Sequence, residues 1–260
     1  MIKQVTSQLR PAFFQCCMTD PVAGCRMAST FFSYPIGEDA DYWLLQDGQG
    51  HLCGALCRFD GLFTLIAGEG TPWEELVEFL LAQGCRTLEG DQASIEPLVR
   101  LWPHRPVKDW RGISMLHTGL WQQESAHSVV RSQRLRQTYQ VIAASQPDML
   151  ERQAADRWYW DMNHRMRHGH VEIFEICQEE VPVSTAGLYG FAGRYSYLGC
   201  VSTLECCRKK GCASALVGTL VNRSLQKGVL PSLVCGEESL VPFYERLGFR
   251  VLHSFATLSF

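Results

Sequence analysis

The sequence lacks any run of about 20 consecutive apolar residues, the length that a helix needs to cross a membrane. Its opening stretch, MIKQVTSQLRPAFFQ, also lacks the apolar core of a signal peptide. We therefore expect neither a membrane partner nor secretion, and we predict a cytoplasmic protein.

A large excess of charge of either sign is missing as well. The 24 Lys and Arg residues nearly balance the 27 Asp and Glu residues, which leaves a formal net charge of -3. A surface that binds extended nucleic acid or an anionic membrane usually carries many more positive charges. We therefore expect no nucleic-acid partner, and any basic site must be small.

Metal-ligand spacings are absent although cysteine is abundant. None of the 12 cysteines forms a CxxC repeat, and the adjacent pair Cys206/Cys207 does not have zinc-site spacing. His164 and His168 stand four residues apart within RWYWDMNHRMRHGH, but the glutamate of the HExxH motif is missing. We predict no metal, and we interpret the cysteines as reduced, largely buried small residues.

Two common nucleotide motifs are also missing. The P-loop spacing GxxxxGK[ST] does not occur, and the one GxG before a predicted helix, Gly68-Glu69-Gly70, continues into Trp73 where a third glycine would be needed. Neither a P-loop nor a Rossmann site is supported.

The first half of the chain carries a strand meander followed by a helix. Three short strands, DYWLLQD, GHLCGALCRFD and LFTLIAG, are separated by Asp-Gly turn signals. In GEGTPWEELVEFLLAQG, Thr71 is predicted to cap the helix, Pro72 to begin it, Glu74 to complete a capping box and Gly84 to end it. A strand, CRTLEGD, and a short helix, SIEPLVRLW, follow.

The second half repeats this order more clearly. Two predicted helices, LRQTYQVIAAS and QAADRWYWDMNHRMRHG, precede three strands, HVEIFEICQ, VPVSTAGLYGF and YSYLGCVSTL. A helix from about Cys212 to Gln226, a strand, a short helix and a last strand complete the pattern. The polar segment from Gln122 to Ser132 has no hydrophobic period, so we predict the domain boundary there.

The stretch CRKKGCASALV, which follows the strand YSYLGCVSTL, favours phosphate binding. A tight turn that leads into a helix with small first residues points several free N–H groups and the positive end of the helix dipole at one place. Gly211 permits close approach of the backbone to a ligand, and Arg208 to Lys210 add positive charge that a diphosphate can use. A simple strand-to-helix turn with an exposed basic face is the alternative interpretation.

Two segments together resemble the GNAT superfamily of acyl-CoA N-acyltransferases. VSTLECCRKKGCASALV is similar to the family's R-x-x-G-x-G/A signature, with Arg208, Gly211 and Ala213 in the matching positions. VPFYERLGFRVL is similar to the second signature, an aromatic pair before a glycine turn and a final strand. The resemblance covers roughly the second half of the chain.

The resemblance implies an α+β fold of two GNAT-like domains, each a mostly antiparallel sheet flanked by helices. We predict a degenerate domain at 1–125, whose acidic GEGTPWEEL replaces the cofactor loop, and a catalytic domain at 133–260. The implied cosubstrate is acetyl-CoA, with its pantetheine arm beside a bulged central strand. The cofactor-binding residues would be Val201, Ser202, Thr203, Arg208, Lys209, Lys210, Gly211, Cys212, Ala213 and Ser214.

The resemblance also implies the chemistry. An acceptor amine would attack the thioester carbonyl, and the N–H group of Val201 or Ser202 would stabilise the oxyanion. Tyr244 would protonate the departing thiolate, because a phenol with a pKa near ~10 is protonated at neutral pH. The residue that deprotonates the amine stays open between Glu172, Glu175, Glu237 and Glu238.

Three functions remain open at this point. The first is N-acetylation of a primary amine on a small molecule by a monomer or homodimer. The second is a non-catalytic module that binds or senses acyl-CoA, although such a module needs no proton donor such as Tyr244. The third is N-acetylation of a protein. The stretch Arg157–His170 could belong to an acceptor site or to a packing helix with a solvated basic edge.

Overall fold

The computed structural model describes the chain except residues 37–38, 118, 120–126 and 147–153. The described residues group into two compact units. The first comprises Met1–Leu116, Val234–Pro242 and Val251–Phe260, and the second comprises His117–Leu233 and Phe243–Arg250. Each unit is described by itself below.

The first unit begins with a strand and two helices. They are followed by the predicted meander, helix, strand and helix. In chain order the elements are β1 (Ile2–Gln4), α1 (Arg10–Cys17), α2 (Ala23–Ser33), β2 (Ala40–Gln46), β3 (Leu52–Phe59), β4 (Leu62–Ala67), α3 (Trp73–Ala82), β5 (Thr87–Asp91), α4 (Gln92–Leu101) and β6 (Lys108–His117).

The sheet of the first unit is mostly antiparallel. Its strands β1, β2, β3, β4 and β5 are neighbours in that order, and only β4 and β5 run parallel. A parallel pair needs a crossover connection, and α3 supplies it. Beneath the sheet a continuous apolar core includes Leu56, Phe63, Leu76, Leu88 and Ile95.

The predicted cap of α3 is wrong. Pro72, rather than Thr71, is the residue that precedes the first helical turn, and no side chain caps the helix. The Thr71 hydroxyl donates instead to the Gly68 carbonyl, at 2.7 Å. The hydroxyl therefore closes the preceding loop, because a local turn competes with the helix end for the same short polar side chain.

The second unit contains the elements of the predicted second half. They are β7 (Val130–Arg131), α5 (Leu135–Ser145), α6 (Ala155–Arg167), β8 (Glu172–Gln178), β9 (Val181–Ala192), β10 (Tyr195–Thr203), α7 (Cys212–Gln226), β11 (Leu230–Cys235), α8 (Val241–Arg246) and β12 (Phe249–Ser259). Some residues of the last three elements belong to the first unit. Among all described residues, no helix is long and apolar enough to cross a membrane.

The sheet of the second unit has the same plan as the first. Strands β7, β8, β9 and β10 are antiparallel neighbours, and β10 runs parallel to β11. Helices α5 and α6 pack through Tyr139, Ile142, Trp158 and Met162 on a core that includes Ile173. The predicted mixed fold, with mostly antiparallel strand pairing and flanking helices, is therefore confirmed.

The last strand of the chain pairs within the first unit. Residues 255–259 of β12 run antiparallel to β5, with Phe255 opposite Asp91 and Ser259 opposite Thr87. The predicted domains, 1–125 and 133–260, are continuous ranges, so they do not describe this pairing of β12 with β5. As domain boundaries they stay a prediction, since residues 120–126 lie outside the described chain.

A charged triad holds β12 to the first unit. His253 lies between two carboxylates, with its Nε2 3.4 Å from Asp20 Oδ2 and its Nδ1 3.2 Å from Asp91 Oδ1. Asp20 also accepts hydrogen bonds from the N–H groups of Val22 and Ala23 at the start of α2. Burial acts to lower the pKa of His253, but the two carboxylates outweigh it and raise the pKa to about 10.

We expect this triad to make stability depend on alkaline pH. Because the pKa of His253 is about 10 in the folded chain and about 6.5 in an unfolded one, its contribution is complete below pH ~6.5 and disappears as the pH rises through ~10. His253→Gln should lower the free energy of unfolding by roughly 2–4 kcal/mol near pH 6 and by almost nothing near pH 10. Urea unfolding of both proteins across this range measures the difference. An equal loss at every pH would show that His253 is uncharged in the fold.

Candidate active site

The central strand of the second unit is bulged. Its pairing with β9 shifts register between Gly199 and Ser202, and Cys200 adopts a left-handed φ of 50°. Left-handed backbone is uncommon for a residue with a side chain, so the bulge is a specific feature of this strand. The bulge therefore excludes Cys200 and Val201 from the register of β10 with β9.

Strand β10 also parts from its parallel neighbour. Strand β10 pairs with β11 through Tyr195 with Leu230, Ser196 with Pro231 and Tyr197 with Ser232. Beyond Tyr197 the strand continues to Thr203, but its described pairing with β11 does not. The second half of β10 therefore offers a backbone edge that a ligand can bind as an added strand does.

The end of α5 fixes the open part of β10. Ser145 Oγ donates to the Thr203 carbonyl at 3.1 Å, and Gln146 Nε2 donates to the hydroxyl of Ser202 at 3.0 Å. On the other side, Ser184 Oγ donates to the Ser202 carbonyl at 2.9 Å. The strand is thus held from both flanks.

These bonds distinguish Val201 from Ser202. The Leu204 N–H donates to the Val183 carbonyl of β9, and the carbonyl of Ser202, two residues earlier, also points to β9. Peptide groups alternate in direction along the regular part of a strand, so the N–H group of Ser202 faces β9. Ser202 is therefore disfavoured as the oxyanion donor, and Val201 stays the candidate.

The loop after β10 contains two left-handed residues just before a long helix. A short 3-10 turn, Glu205–Cys207, leads to Lys209 with φ 59° and to Gly211 with φ 84°. Gly211 is the N-cap of α7. Left-handed residues in a turn can direct successive N–H groups to one side, an arrangement that favours anion binding.

The helix start adds further donors to this loop. The first bond of the α7 ladder joins the Ala215 N–H to the Gly211 carbonyl at 3.0 Å, so the N–H groups of Cys212, Ala213 and Ser214 precede the ladder. The helix has 15 residues and carries no acidic residue in its first turn. No side chain of the first turn therefore neutralises the positive end of the helix dipole.

Basic side chains surround these donors. Arg208, Lys209 and Lys210 are all exposed, and Arg208 Nε lies 3.3 Å from the Thr203 carbonyl at the end of β10. Cys212 is buried, so its thiol is not offered to a ligand. The predicted residues 201–203 and 208–214 thus form one continuous stretch of open strand, basic loop and helix start, suited to an anion with an extended arm.

Tyr244 lies on α8, within the second unit. Its ring is 8% exposed and packs edge-on against Phe243 and Phe249, with ring centroids 4.9 and 6.0 Å away. The aromatic pair and the glycine turn predicted from VPFYERLGFRVL therefore form one packed unit before β12.

Residues 135–249 match the family model described as the acetyltransferase (GNAT) family. Residues 135–249 therefore form a GNAT domain. No curated protein matches the chain.

Solved structures extend the likeness of fold beyond the GNAT domain. A Drosophila protein superposes with a TM-score of 0.73 at 10% identity, over 100% of this chain and 98% of its own. A tandem GNAT protein from the clavulanic acid biosynthesis pathway gives 0.63 at 12% identity, over 100% and 98%. A GNAT-family acetyltransferase from Colwellia psychrerythraea gives 0.59 at 14% identity, over 100% and 99%. At these identities the likeness concerns the fold alone.

Sequence reasoning missed a histidine next to the Tyr244 segment of the GNAT domain. His117 is buried, its ring stands edge-on to Phe249 at 5.2 Å, and a Cβ on Gly248 would lie 2.6 Å from its Nε2. Burial lowers its pKa, and the nearby Leu247 backbone offsets only part of this effect. The imidazole is therefore neutral at physiological pH. An isolated histidine far from either motif gives no sequence signal of this packing.

The four glutamates proposed as the general base differ in their surroundings. Burial acts to raise the pKa of Glu172, but Arg223 and Lys227, the latter at 3.0 Å, outweigh it and lower the pKa. A carboxylate held in this way is a poor proton acceptor. Glu175 is buried and accepts a hydrogen bond from Thr138 at 3.2 Å, while Glu237 and Glu238 are exposed.

Helix α6 packs its inner face on the core of the GNAT domain. Trp158 and Met162 are buried, and Asp161 and Arg165 form an ion pair of 2.6 Å that is nearly inaccessible to solvent. The outer face carries Trp160, which stacks on His164. Within the described part of the chain, no three potential ligands come together as a metal site.

The equivalent region of the first unit lacks these features. Strand β4 pairs with β3 without a register shift, so it has no bulge. A Cβ on Gly70, in the loop before α3, would lie 3.0 Å from the side chain of Asp47. Glu75, in the first turn of α3, binds the amino terminus of the chain at 2.9 Å. Carboxylates therefore stand where the GNAT domain has lysines and arginine.

Proposed function

We propose that the protein transfers an acetyl group from acetyl-CoA to a primary amine of a small-molecule acceptor, in the cytoplasm. One observation carries the proposal. Within the segment that matches the acetyltransferase family, a bulged and parted strand leads directly into a left-handed, basic loop at a helix start.

The residues of the loop fit a diphosphate. The N–H groups from Lys209 to Ser214 can bind its oxygens, and Arg208, Lys209 and Lys210 balance its charge. The pantetheine arm of acetyl-CoA is expected to bond to the edge of β10 at Val201 to Thr203. Bound in this way, acetyl-CoA supplies an activated thioester next to the bulge.

Chain residues then assist each stage of the transfer. The Val201 N–H is expected to stabilise the oxyanion that forms when the amine attacks the thioester carbonyl. The carbon–sulfur bond breaks as the new carbon–nitrogen bond is completed, and Tyr244 is expected to donate its phenolic proton to the departing thiolate. The amine loses one proton in the same reaction, either to solvent or to a side chain of the acceptor site.

The first half of the chain is proposed to be a degenerate GNAT-like domain. Its unbulged β4 and the carboxylates around the start of α3 disfavour a diphosphate. We expect one coenzyme site per chain and a structural or acceptor-shaping role for this half.

A panel of primary amines tests the proposed function. Each amine is incubated with acetyl-CoA and the protein, and free CoA is quantified by mass spectrometry, because the 12 free cysteines would react with thiol reagents. We expect at least one small amine to increase CoA formation at least about tenfold over the amine-free reaction. Tight binding of acetyl-CoA with no increase for any amine or amino-terminal peptide would favour the binding module instead.

A further inference from the structure

A histidine from outside the signature segments contacts the basic loop of the GNAT domain. His127 is 83 positions from Lys210 in the chain, yet its Nε2 lies 2.7 Å from the Lys210 carbonyl oxygen. A Cβ on Gly211 would lie 3.5 Å from the same nitrogen, which is ordinary van der Waals contact. The imidazole therefore contacts the peptide group that joins Lys210 to Gly211.

The hydrogen bond indicates which nitrogen of the His127 ring carries the proton. A carbonyl oxygen can only accept, so Nε2 carries the hydrogen and donates it to Lys210. This donor exists both in the neutral tautomer protonated at Nε2 and in the imidazolium ion. The contact consequently does not depend on the charge of the histidine.

The contact also fixes the direction of an N–H group. The peptide between Lys210 and Gly211 is trans, as are all peptides of the described chain, so its carbonyl and its N–H point in opposite directions. While the carbonyl points at His127, the Gly211 N–H points to the opposite side. Gly211 is the N-cap of α7 and lies two residues after the left-handed Lys209, so its N–H is among the backbone donors that the proposed function assigns to the diphosphate.

We propose that His127 is a positioning residue for diphosphate binding, which holds the Lys210–Gly211 peptide so that the Gly211 N–H faces the ligand. The inference rests on the proposed function. The loop has reason to need such support, because Gly211 alone is free to rotate its peptide and the exposed side chains of Arg208, Lys209 and Lys210 repel each other when no anion is bound.

Two substitutions separate positioning from simple charge. His127→Ala removes the donor, and we expect the Kd of CoA, measured by isothermal titration, to rise about tenfold. His127→Gln places an amide N–H where Nε2 stood, and it should keep the Kd within about twofold of the parent. His104→Ala, which removes an exposed imidazole from the first unit, is the matched control and should change nothing.

A shorter acyl donor tests whether the effect of His127→Ala depends on the diphosphate of the coenzyme. Acetyl-pantetheine lacks the diphosphate, so kcat/KM for this donor should be the same in His127→Ala and in the parent, whereas KM for acetyl-CoA should rise with kcat unchanged. Equal loss with both donors would mean that His127 acts on the fold as a whole, and the proposal would be wrong.

The remaining outcomes are also decisive. If His127→Gln weakens CoA binding as much as His127→Ala, and the parent's affinity falls as the pH rises from 6 to 8, His127 acts as a cation on the phosphate and positioning is refuted. If both variants bind CoA like the parent, the inference fails while the proposed function stands. A parent protein that binds no CoA would overturn both.

Discussion

Gly211→Glu is expected to abolish binding of acetyl-CoA, with a loss of affinity of at least about 100-fold. Gly211 has a φ of 84°, a conformation that a residue with a side chain adopts only with strain. The substitution also places a carboxylate beside the proposed diphosphate, where the loop supplies Arg208, Lys209 and Lys210. The fold should survive, because among the described residues a Cβ at this position meets only His127, at 3.5 Å.

The other end of the same helix offers a matched control. Gly228 follows α7 and has a φ of 73°, and an added Cβ would have no heavy atom of the described residues within 4 Å. Gly228→Glu therefore introduces the same charge and a similar backbone strain far along the helix from the basic loop. Titration calorimetry should show acetyl-CoA binding to Gly228→Glu and none to Gly211→Glu. Unimpaired binding to both variants would place the coenzyme site elsewhere.

Tyr244→Phe is expected to lower kcat by about 10²- to 10⁴-fold, the usual contribution of a general acid. The phenol should matter only as the thiolate departs, so KM for acetyl-CoA should change by less than about threefold. The ring itself remains, and so does its packing against Phe243 and Phe249. Steady-state kinetics with an accepted amine measure both constants.

The control for this prediction makes the same chemical change at another site. Tyr195→Phe removes a hydroxyl that accepts a hydrogen bond from Arg194 at 2.9 Å. Its kcat should match that of the parent. A normal kcat for Tyr244→Phe, with the chemical step shown to limit the rate, would remove Tyr244 from the mechanism. A raised KM with normal kcat would make it a binding residue.

Local patterns predicted the elements that carry the proposed site. The helix over Cys212–Gln226 and the strand YSYLGCVST are where the sequence indicates, because small residues after a glycine and alternating apolar residues are short-range signals. The two halves repeat as predicted, since each meander is marked by its own turn residues.

Local sequence patterns could not predict contacts between residues that are far apart in the chain. Nothing in FATLS indicates that these residues pair with β5 rather than with a strand of the second half, because the partner of a strand depends on the whole fold. Helices α1 and α2 were also missed: α1 has only eight residues, α2 mixes glycine and serine with its apolar residues, and neither N-cap residue, Leu9 or Val22, is of a capping type. The contact of His127 with Lys210 joins residues that are 83 positions apart, and neither segment has a sequence pattern that predicts it.

The most direct test of the account follows the acetyl group itself. Acetyl-CoA labelled in the acetyl carbons is supplied with the amine panel, and the labelled amide is quantified by mass spectrometry for the parent, Gly228→Glu, Tyr244→Phe and Gly211→Glu. The account predicts labelled product from the first two, about 10²- to 10⁴-fold less from Tyr244→Phe, and none from Gly211→Glu. Labelled product from Gly211→Glu at the parent's rate, or its absence from the parent with every amine, would contradict it.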